Sequence, residues 1–68
     1  MEINMRKNNF IQCGRNRYVN LNNAHRIEWE LSEYGFDVHV WYGKYEETYR
    51  LTEEDFRDFQ EEFENNAL

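Results

Sequence analysis

The chain has 68 residues, a net charge of −6 and one cysteine, Cys13. A domain of this size buries only about 60% of the surface that its unfolded chain exposes, so its stability margin is thin. A single cysteine excludes an internal disulfide, and no CxxC or HxxxH spacing indicates structural zinc. No segment approaches the roughly 20 apolar residues of a membrane-spanning helix, and the segment "MEINMRKNNFIQ" lacks the continuous apolar stretch that is typical of a signal peptide. We therefore expect one cytoplasmic domain, covering residues 1–68, without a cofactor or metal.

Charge is distributed unevenly along the chain. Residues 1–26 carry five basic residues against one acid, whereas residues 27–68 carry three basic residues against 13 acids. The two parts therefore have net charges of +4 and −10. Such polarity favours contacts with a charged partner or with a second copy, and it makes the acidic part a poor surface for nucleic acid.

The N-terminal part of the sequence predicts two short strands. Residues 1–8 are polar enough to fray or to form an edge, and a β-meander is expected over residues 9–51. The segments "NFIQC" and "RYVNL" are joined by the "GRN" turn, and an Asn-Asn turn follows the second strand. The residues expected to point inward are Ile11, Cys13, Val19 and Leu21.

The segments "RIEWELS" and "FDVHVWY" alternate apolar and polar residues, which is typical of half-buried strands. With a loop centred on Tyr34 and Gly35, the two apolar rows meet on one face. The expected pairs are Leu31 with Val38, Trp29 with Val40 and Ile27 with Tyr42. On the other face the same register places Ser32 opposite Asp37, Glu30 opposite His39, and Trp41 between Glu28 and Glu46.

A second turn at Gly43 and Lys44 has the Gly-first form of a type II′ loop and leads into "EETYRL". The expected alignment places Val38 opposite Tyr49 and Phe36 opposite Leu51. Arg50 and Asp37 then form an opposite-charge pair on the outer face. Glu47 falls on the apolar side of this strand, near its exposed end.

Residues 52–65 predict a C-terminal helix. Thr52 is a suitable N-cap, with Asp55 at the N3 position and Leu51 placed to form a hydrophobic staple with Phe56. The apolar positions recur at helical spacing. They are Phe56, Phe59 and Phe63. Because this narrow stripe needs an apolar surface to cover it, we expect an α+β fold, a curved antiparallel sheet of four to five strands with the helix packed on one face.

Catalysis and metal binding are disfavoured by the expected geometry. Ser32, His39 and the nearby carboxylates would supply a hydroxyl, an imidazole and acids on the outer face. A flat solvated sheet lacks an enclosed site and a positioned oxyanion donor, so cross-strand pairing explains these residues more simply. His25, His39 and Cys13 lie on different predicted elements, which argues against a metal site. We expect a non-enzymatic protein.

Two features favour a protein-binding surface. Trp41 lies on the polar face of its strand, and an aromatic ringed by polar groups often marks a contact with a partner or a second copy, although the N-terminal segment could also cover it. The acids in the last helical turns oppose the helix macrodipole, which indicates either solubility or a basic protein partner. The candidate partner-binding residues are Trp41, Glu28, His39, Glu46, Glu61, Glu62 and Glu64.

Nucleic-acid binding and self-assembly into a homodimer or larger homo-oligomer are the alternatives. Basic residues interleaved with Phe10 and Tyr18 resemble a weak nucleic-acid footprint, but the acidic remainder of the chain would repel the same polymer. The basic residues concerned are Arg6, Lys7, Arg15 and Arg17. A homo-oligomer would use the opposite charges of the two parts of the chain.

The order "RYVNLNNAHRIEW", a strand pair and "YRLTEEDFRDF" resembles a class of short uncharacterised bacterial and phage proteins. These share a V-N-L strand, a turn into a strand with I-E, and a final strand that ends in a capped helix. The resemblance covers residues 17–63 and brings no function with it. Charge polarity, the helix acids and Trp41 are what favour a protein-binding regulator or inhibitor encoded by a bacterium or a mobile element. The layout is also distantly similar to LytTR-type DNA-binding domains, from which this chain departs in its acidity.

Overall fold

The computed structural model describes residues 10–66. Its elements are β1 (Phe10–Gln12), β2 (Tyr18–Asn20), β3 (Arg26–Leu31), β4 (Phe36–Tyr42), β5 (Tyr45–Leu51) and α1 (Glu53–Asn66). The predicted α+β class with one C-terminal helix is confirmed. The prediction of a single curved sheet was wrong in detail, since β1 and β2 form one antiparallel sheet and β3, β4 and β5 form another. The predicted fraying of residues 1–8 lies outside the described residues.

The two sheets separate at the asparagine-rich turn after β2. The carbonyl oxygen of Asn20 accepts hydrogen bonds from the N–H groups of Asn23 and Ala24, and the Asn20 Oδ1 accepts one from the N–H of Asn22. These short-range bonds use backbone groups that a continuing ladder between β2 and β3 would need. The chain therefore leaves the first sheet and begins a new one at Arg26.

The β3–β4 hairpin keeps the predicted faces but has a different register. Ile27 lies opposite Val40, Trp29 opposite Val38 and Leu31 opposite Phe36, a shift of two residues from the prediction. The backbone groups of Ser32 and Gly35 bond to each other, so the loop centres on residues 33–34. A Cβ on Gly35 would overlap the backbone of Leu51, so this glycine permits a close approach to the end of β5 rather than forming the turn centre.

The β4–β5 hairpin forms as predicted. Val38 lies opposite Tyr49 and Phe36 opposite Leu51, and Gly43 takes the positive φ of 66° that a Gly-first loop requires. The Arg50 Nε lies 3.3 Å from the Asp37 Oδ1 on the outer face. The alternation of this strand pair was sufficient to fix its register.

Helix α1 begins with the predicted cap and packs its aromatic stripe on the inner face of the three-stranded sheet. The N–H of Asp55 donates to the Thr52 Oγ1 over 3.1 Å. Phe56 and Phe59 are buried, and the ring centroids of Phe56, Phe59 and Phe63 all lie 5.6–5.7 Å from that of Trp29, in edge-to-face geometry. The helix therefore closes the core over β3 and β4.

The β1–β2 hairpin contributes to the same core and contacts the helix. Ile11, Val19 and Cys13 are fully buried, as predicted. Leu21 is half-buried against the same cluster. The N–H of Gln12 donates to the Glu62 Oε1 over 3.3 Å, which ties β1 to the helix.

Two residues at the edges of the apolar face, Leu31 and Glu47, are not typical core residues. Leu31, predicted to point into the core, is 76% exposed because the shifted loop leaves it at the end of the hairpin. Glu47 lies on the apolar side of β5 as expected, and its carboxylate accepts hydrogen bonds from the hydroxyls of Tyr49 (2.6 Å) and Tyr45 (3.1 Å). The two tyrosines therefore satisfy an acid that the alternation pattern alone leaves unexplained.

Candidate protein-binding surfaces

Polar side chains of three strands share the face of the large sheet opposite the helix, which we name the outer sheet face. Cross-strand pairing brings them together in rows, since residues directly opposite in an antiparallel sheet point to the same side. The face consists of Arg26, Glu28, Glu30, Asp37, His39, Trp41, Glu46, Thr48 and Arg50. Trp41, Glu28, His39 and Glu46, four of the predicted partner-binding residues, lie here.

Trp41 is half-buried on this face beneath a guanidinium of its own chain. The predicted position of Trp41 between Glu28 and Glu46 was wrong on one side, because the shifted register places Arg26 opposite it, with Glu46 on the other. The Arg26 Cζ lies 4.6 Å from the Trp41 ring centroid, and its Nη2 lies 2.7 Å from the Glu28 Oε2. The carboxylate therefore holds the guanidinium over the indole, in a cation–π arrangement.

His39 lies at the centre of the outer sheet face among three oxygen-bearing side chains. The predicted pairs Glu30–His39 and Ser32–Asp37 were wrong, since Glu28 lies opposite His39 and Glu30 opposite Asp37. The Glu30 carboxylate nevertheless reaches the His39 Nε2 diagonally at 3.3 Å. The Nδ1 lies 3.0 Å from the Thr48 Oγ1 and 3.2 Å from a Glu46 oxygen.

This arrangement superficially resembles a hydroxyl, imidazole and carboxylate triad. The Nδ1 that would take a proton from Thr48 is shared with Glu46, and the backbone of the central strand β4 is engaged in ladders on both sides. A nucleophilic site needs N–H groups that converge on a developing oxyanion, which a regular sheet surface does not provide. The contacts of this cluster are those of a cross-strand hydrogen-bond network.

The second candidate surface is the exposed side of helix α1. It bears seven acids, and within residues 10–66 its only ion pair joins Arg57 to Glu53 at 3.4 Å. The last turn has no basic residue to complement the helix dipole. The predicted residues Glu61, Glu62 and Glu64 all lie on α1.

A groove of about 420 Å³ runs between this helix and the β1–β2 turn, and we name it the acidic groove. Its charged lining is four carboxylates against one guanidinium. The charged residues are Asp55, Asp58, Glu61, Glu62 and Arg15. Sequence reasoning identified Glu61 and Glu62 but missed Asp55 and Asp58 as parts of one surface, although their helical spacing carries that signal.

The candidate partner-binding residues do not form one surface. Helix α1 packs on the side of the sheet that holds Trp29, whereas Trp41 and His39 point to the other side. A partner that contacts Trp41 in a flat interface therefore does not contact Glu61 at the same time. The two surfaces need separate tests.

The basic residues proposed for nucleic-acid binding are only partly described. Arg6 and Lys7 lie outside the described residues. The Arg17 guanidinium stacks over the Tyr49 ring at 4.7 Å, and Arg15 lines the acidic groove. Within residues 10–66, these two cations therefore face an aromatic ring and a set of carboxylates.

Buried and hydrogen-bonded groups of the core have shifted proton affinities. Burial raises the pKa of the Cys13 thiol to about 12, with a smaller opposing effect of the nearby Arg17 charge. Burial, followed by the hydrogen bond to Glu47, raises the pKa of Tyr49. The bonds donated by Tyr49 and Tyr45 lower the pKa of the Glu47 carboxyl. Cys13 is thus a neutral core residue at physiological pH.

Within the described part of the chain, no group of three His, Cys, Asp or Glu side chains is arranged to hold a metal ion. Over the same residues, α1 is too short and too polar to cross a bilayer. Comparison of the chain with protein-family models, with curated proteins and with solved structures finds no match. The resemblance to short bacterial and phage proteins stays a prediction.

Proposed function

We propose that the chain is a non-enzymatic protein-binding module that engages a basic surface of a protein partner through helix α1 and the acidic groove. The observation that carries this proposal is the uncompensated charge of the helix. Seven acids stand against one basic residue over Glu53–Asn66. A regulator or inhibitor from a bacterium or a mobile element is the biological role that fits such a module.

The position of these acids supports binding over local stability. Glu61, Glu62 and Glu64 lie in the last turns, where each anion costs a few tenths of a kcal/mol against the helix dipole. Glu54 with Asp58, and Asp58 with Glu62, are like-charged pairs at i,i+4 and add a similar cost. A basic partner would offset these costs and would be attracted over a distance by the same field.

The acidic groove is a cleft that basic side chains of a partner can enter, in addition to being negatively charged. Its open cleft lies between a helix and a tight turn, and Asp58 and Glu62 are one helical turn apart along its wall. Arginine or lysine side chains of a partner could enter it and pair with these carboxylates. The outer sheet face, with Arg26 already over Trp41, is the competing surface.

The test is affinity capture from a lysate of the source cell, followed by mass spectrometry and reconstitution with the purified partner. The helix variant changes Glu61, Glu62 and Glu64 to Gln, and the control variant changes Glu28, Glu30 and Glu46 to Gln. Both variants remove three negative charges, so they have the same net charge. We expect the helix variant to lose a stoichiometric basic partner that the control variant retains.

Three results would contradict the proposal. Equal loss in both variants would indicate general charge attraction rather than a helix surface. Loss in the control variant and in Trp41→Ala alone would assign binding to the outer sheet face. Capture that disappears after nuclease treatment and in an Arg15→Glu, Arg17→Glu variant would favour the nucleic-acid alternative.

A further inference from the structure

We infer that β3 is a self-association edge, through which two copies of the chain pair antiparallel to give one continuous six-stranded sheet. Within residues 10–66, β3 pairs only with β4, and its other edge has no neighbouring strand. A strand edge with open backbone groups is a template for another strand. This inference is independent of the proposed basic partner, which binds on the helix.

The hydrogen bonds of the β3–β4 loop identify which backbone groups face the open edge. Ser32 and Gly35 exchange N–H to carbonyl bonds, so they form a hydrogen-bonded pair. Such pairs alternate along an antiparallel ladder, and the even-numbered residues of β3 therefore bond to β4. The N–H and carbonyl groups of Ile27, Trp29 and Leu31 point to the open edge.

The side chains of β3 are complementary to themselves in one register. When Glu28 lies opposite Glu28 of the second copy, Arg26 lies opposite Glu30 on both sides of the twofold axis. On the helix side, Ile27 then lies opposite Trp29, and these are the residues whose backbone groups are free to bond. Each Glu28 carries its own Arg26 guanidinium at 2.7 Å, which offsets the central like-charge contact.

Neighbouring registers that preserve the faces are less favourable. A shift that places Trp29 opposite Trp29 brings Glu28 against Glu30 twice, and it loses the Arg26–Glu30 pairs because Arg26 then lies opposite Ser32. A shift in the other direction places Ile27 opposite Ile27. Glu30 then has no opposing strand residue, because β3 of the second copy begins at Arg26. The register centred on Glu28 therefore opposes as many β3 residues as the register centred on Trp29, and it adds an opposite-charge pair on each side.

The edge of β3 suits this pairing better than the edge of β5. The helix-side row of β3 consists of Ile27, Trp29 and Leu31, of which Leu31 is 76% exposed. The corresponding row of β5 contains Glu47, and Arg17 covers Tyr49 there. Pairing at β3 buries apolar surface, and a chain of 68 residues without a disulfide gains most from such burial.

A cysteine placed on the proposed axis tests the register directly. In a Cys13→Ala background, Glu28→Cys puts two thiols in a non-hydrogen-bonded pair with Cα atoms about 4.5 Å apart, within disulfide range. Thr48→Cys is the matched control, because Thr48 is exposed on the same face but lies on β5. We expect mild oxidation to join the Glu28→Cys chains into a dimer and to leave the Thr48→Cys chains monomeric.

Charge exchange provides the second test, with sedimentation equilibrium of the full chain as the readout. Glu30→Arg places like charges opposite each other at both ends of the interface, and we expect the dimer dissociation constant to rise about tenfold. The double change Arg26→Glu, Glu30→Arg restores the opposite-charge pairs and should restore most of the affinity.

A monomer mass at several hundred micromolar would overturn the inference, as would a dimer whose Glu28→Cys chains do not crosslink or whose affinity is unchanged by Glu30→Arg. None of these results bears on capture of a basic partner by α1. Failure of the proposed function would in turn leave the β3 dimer intact. The two ideas can therefore be rejected separately.

Discussion

Truncation of Phe59 should remove most of the free energy of unfolding. This side chain is 0% exposed, and its ring centroid lies 5.7 Å from that of Trp29 and 5.9 Å from that of Phe63. A buried Phe→Ala change costs about 3–5 kcal/mol, through lost burial and the cavity that remains. Small domains have about 0.05–0.15 kcal/mol of stability per residue, or roughly 3–10 kcal/mol for this chain. Because a chain of 68 residues belongs at the lower end of that range, we expect Phe59→Ala to be largely unfolded at 25 °C.

Phe59→Leu keeps most of the volume and gives a measurable transition. We expect it to lose about 1–2 kcal/mol, because the edge-to-face contacts disappear while burial is largely kept. The assay is urea unfolding, followed by far-ultraviolet circular dichroism and tryptophan fluorescence at low micromolar concentration. Leu31→Ala is the control and should change stability by less than about 0.5 kcal/mol, since Leu31 is mostly exposed. If Phe59→Ala costs no more than Leu31→Ala, the described core is wrong.

Three further experiments test the helix N-cap and the two groups with a shifted pKa, Cys13 and Glu47. Thr52→Ala should cost about 1 kcal/mol in urea unfolding, because the N–H of Asp55 loses its acceptor, whereas Thr52→Ser should cost little. Native Cys13 should react with iodoacetamide at pH 8 far more slowly than Cys13 of the chain unfolded in 8 M urea. The contribution of Cys13 to the free energy of unfolding is present below pH 9.0 and should be lost as the pH rises towards about 12. Equal reaction rates, or an alkaline loss of stability that is unchanged in Cys13→Ala, would oppose this prediction. The hydrogen bonds from Tyr49 and Tyr45 lower the Glu47 pKa from 4.5, so the contribution of Glu47 to the free energy of unfolding is present above pH 4.5 and is lost as the pH falls through the folded-state value. In urea unfolding at a series of pH values, Glu47→Gln should therefore show a smaller decrease of the midpoint at acid pH than the unchanged chain.

The sequence pattern predicted correctly those elements that are determined by residues close together in the chain. The alternation in β4 and β5, the Gly43 turn and the Thr52 cap each depend on residues close in sequence, and all were predicted correctly. The register of the first hairpin depends on a distant contact. Gly35 was placed at the centre of the turn, but it is needed where the chain passes against Leu51. Nothing within the hairpin sequence reveals that approach.

The candidate surfaces divide in the same way. The acids of α1 were predictable, because helical spacing alone places them together on one side. The acidic groove was not, since it needs the β1–β2 turn to pack beside the helix and bring Arg15 to its wall. The side chain that lies over Trp41 depends on the register of the β3–β4 hairpin. Because the register is shifted by two residues, Arg26 lies opposite Trp41 in place of the expected Glu28. Tertiary packing thus decides which charges meet.

Ionic strength separates the two proposed interfaces. Each copy of the chain carries a net charge of −6, so two copies repel over distances that salt can screen. Capture of a basic partner by α1 depends on attraction between opposite charges and should weaken between 20 mM and 300 mM NaCl. Pairing at β3 depends mainly on backbone bonds and apolar contacts. Salt screens its two Arg26–Glu30 pairs but also screens the repulsion between two chains of net charge −6, so the dimer should change much less than partner capture over the same range. A dimer that weakens with salt as steeply as partner capture would be held mainly by the opposite charges of the two parts of the chain, and its interface would then lie elsewhere than at β3.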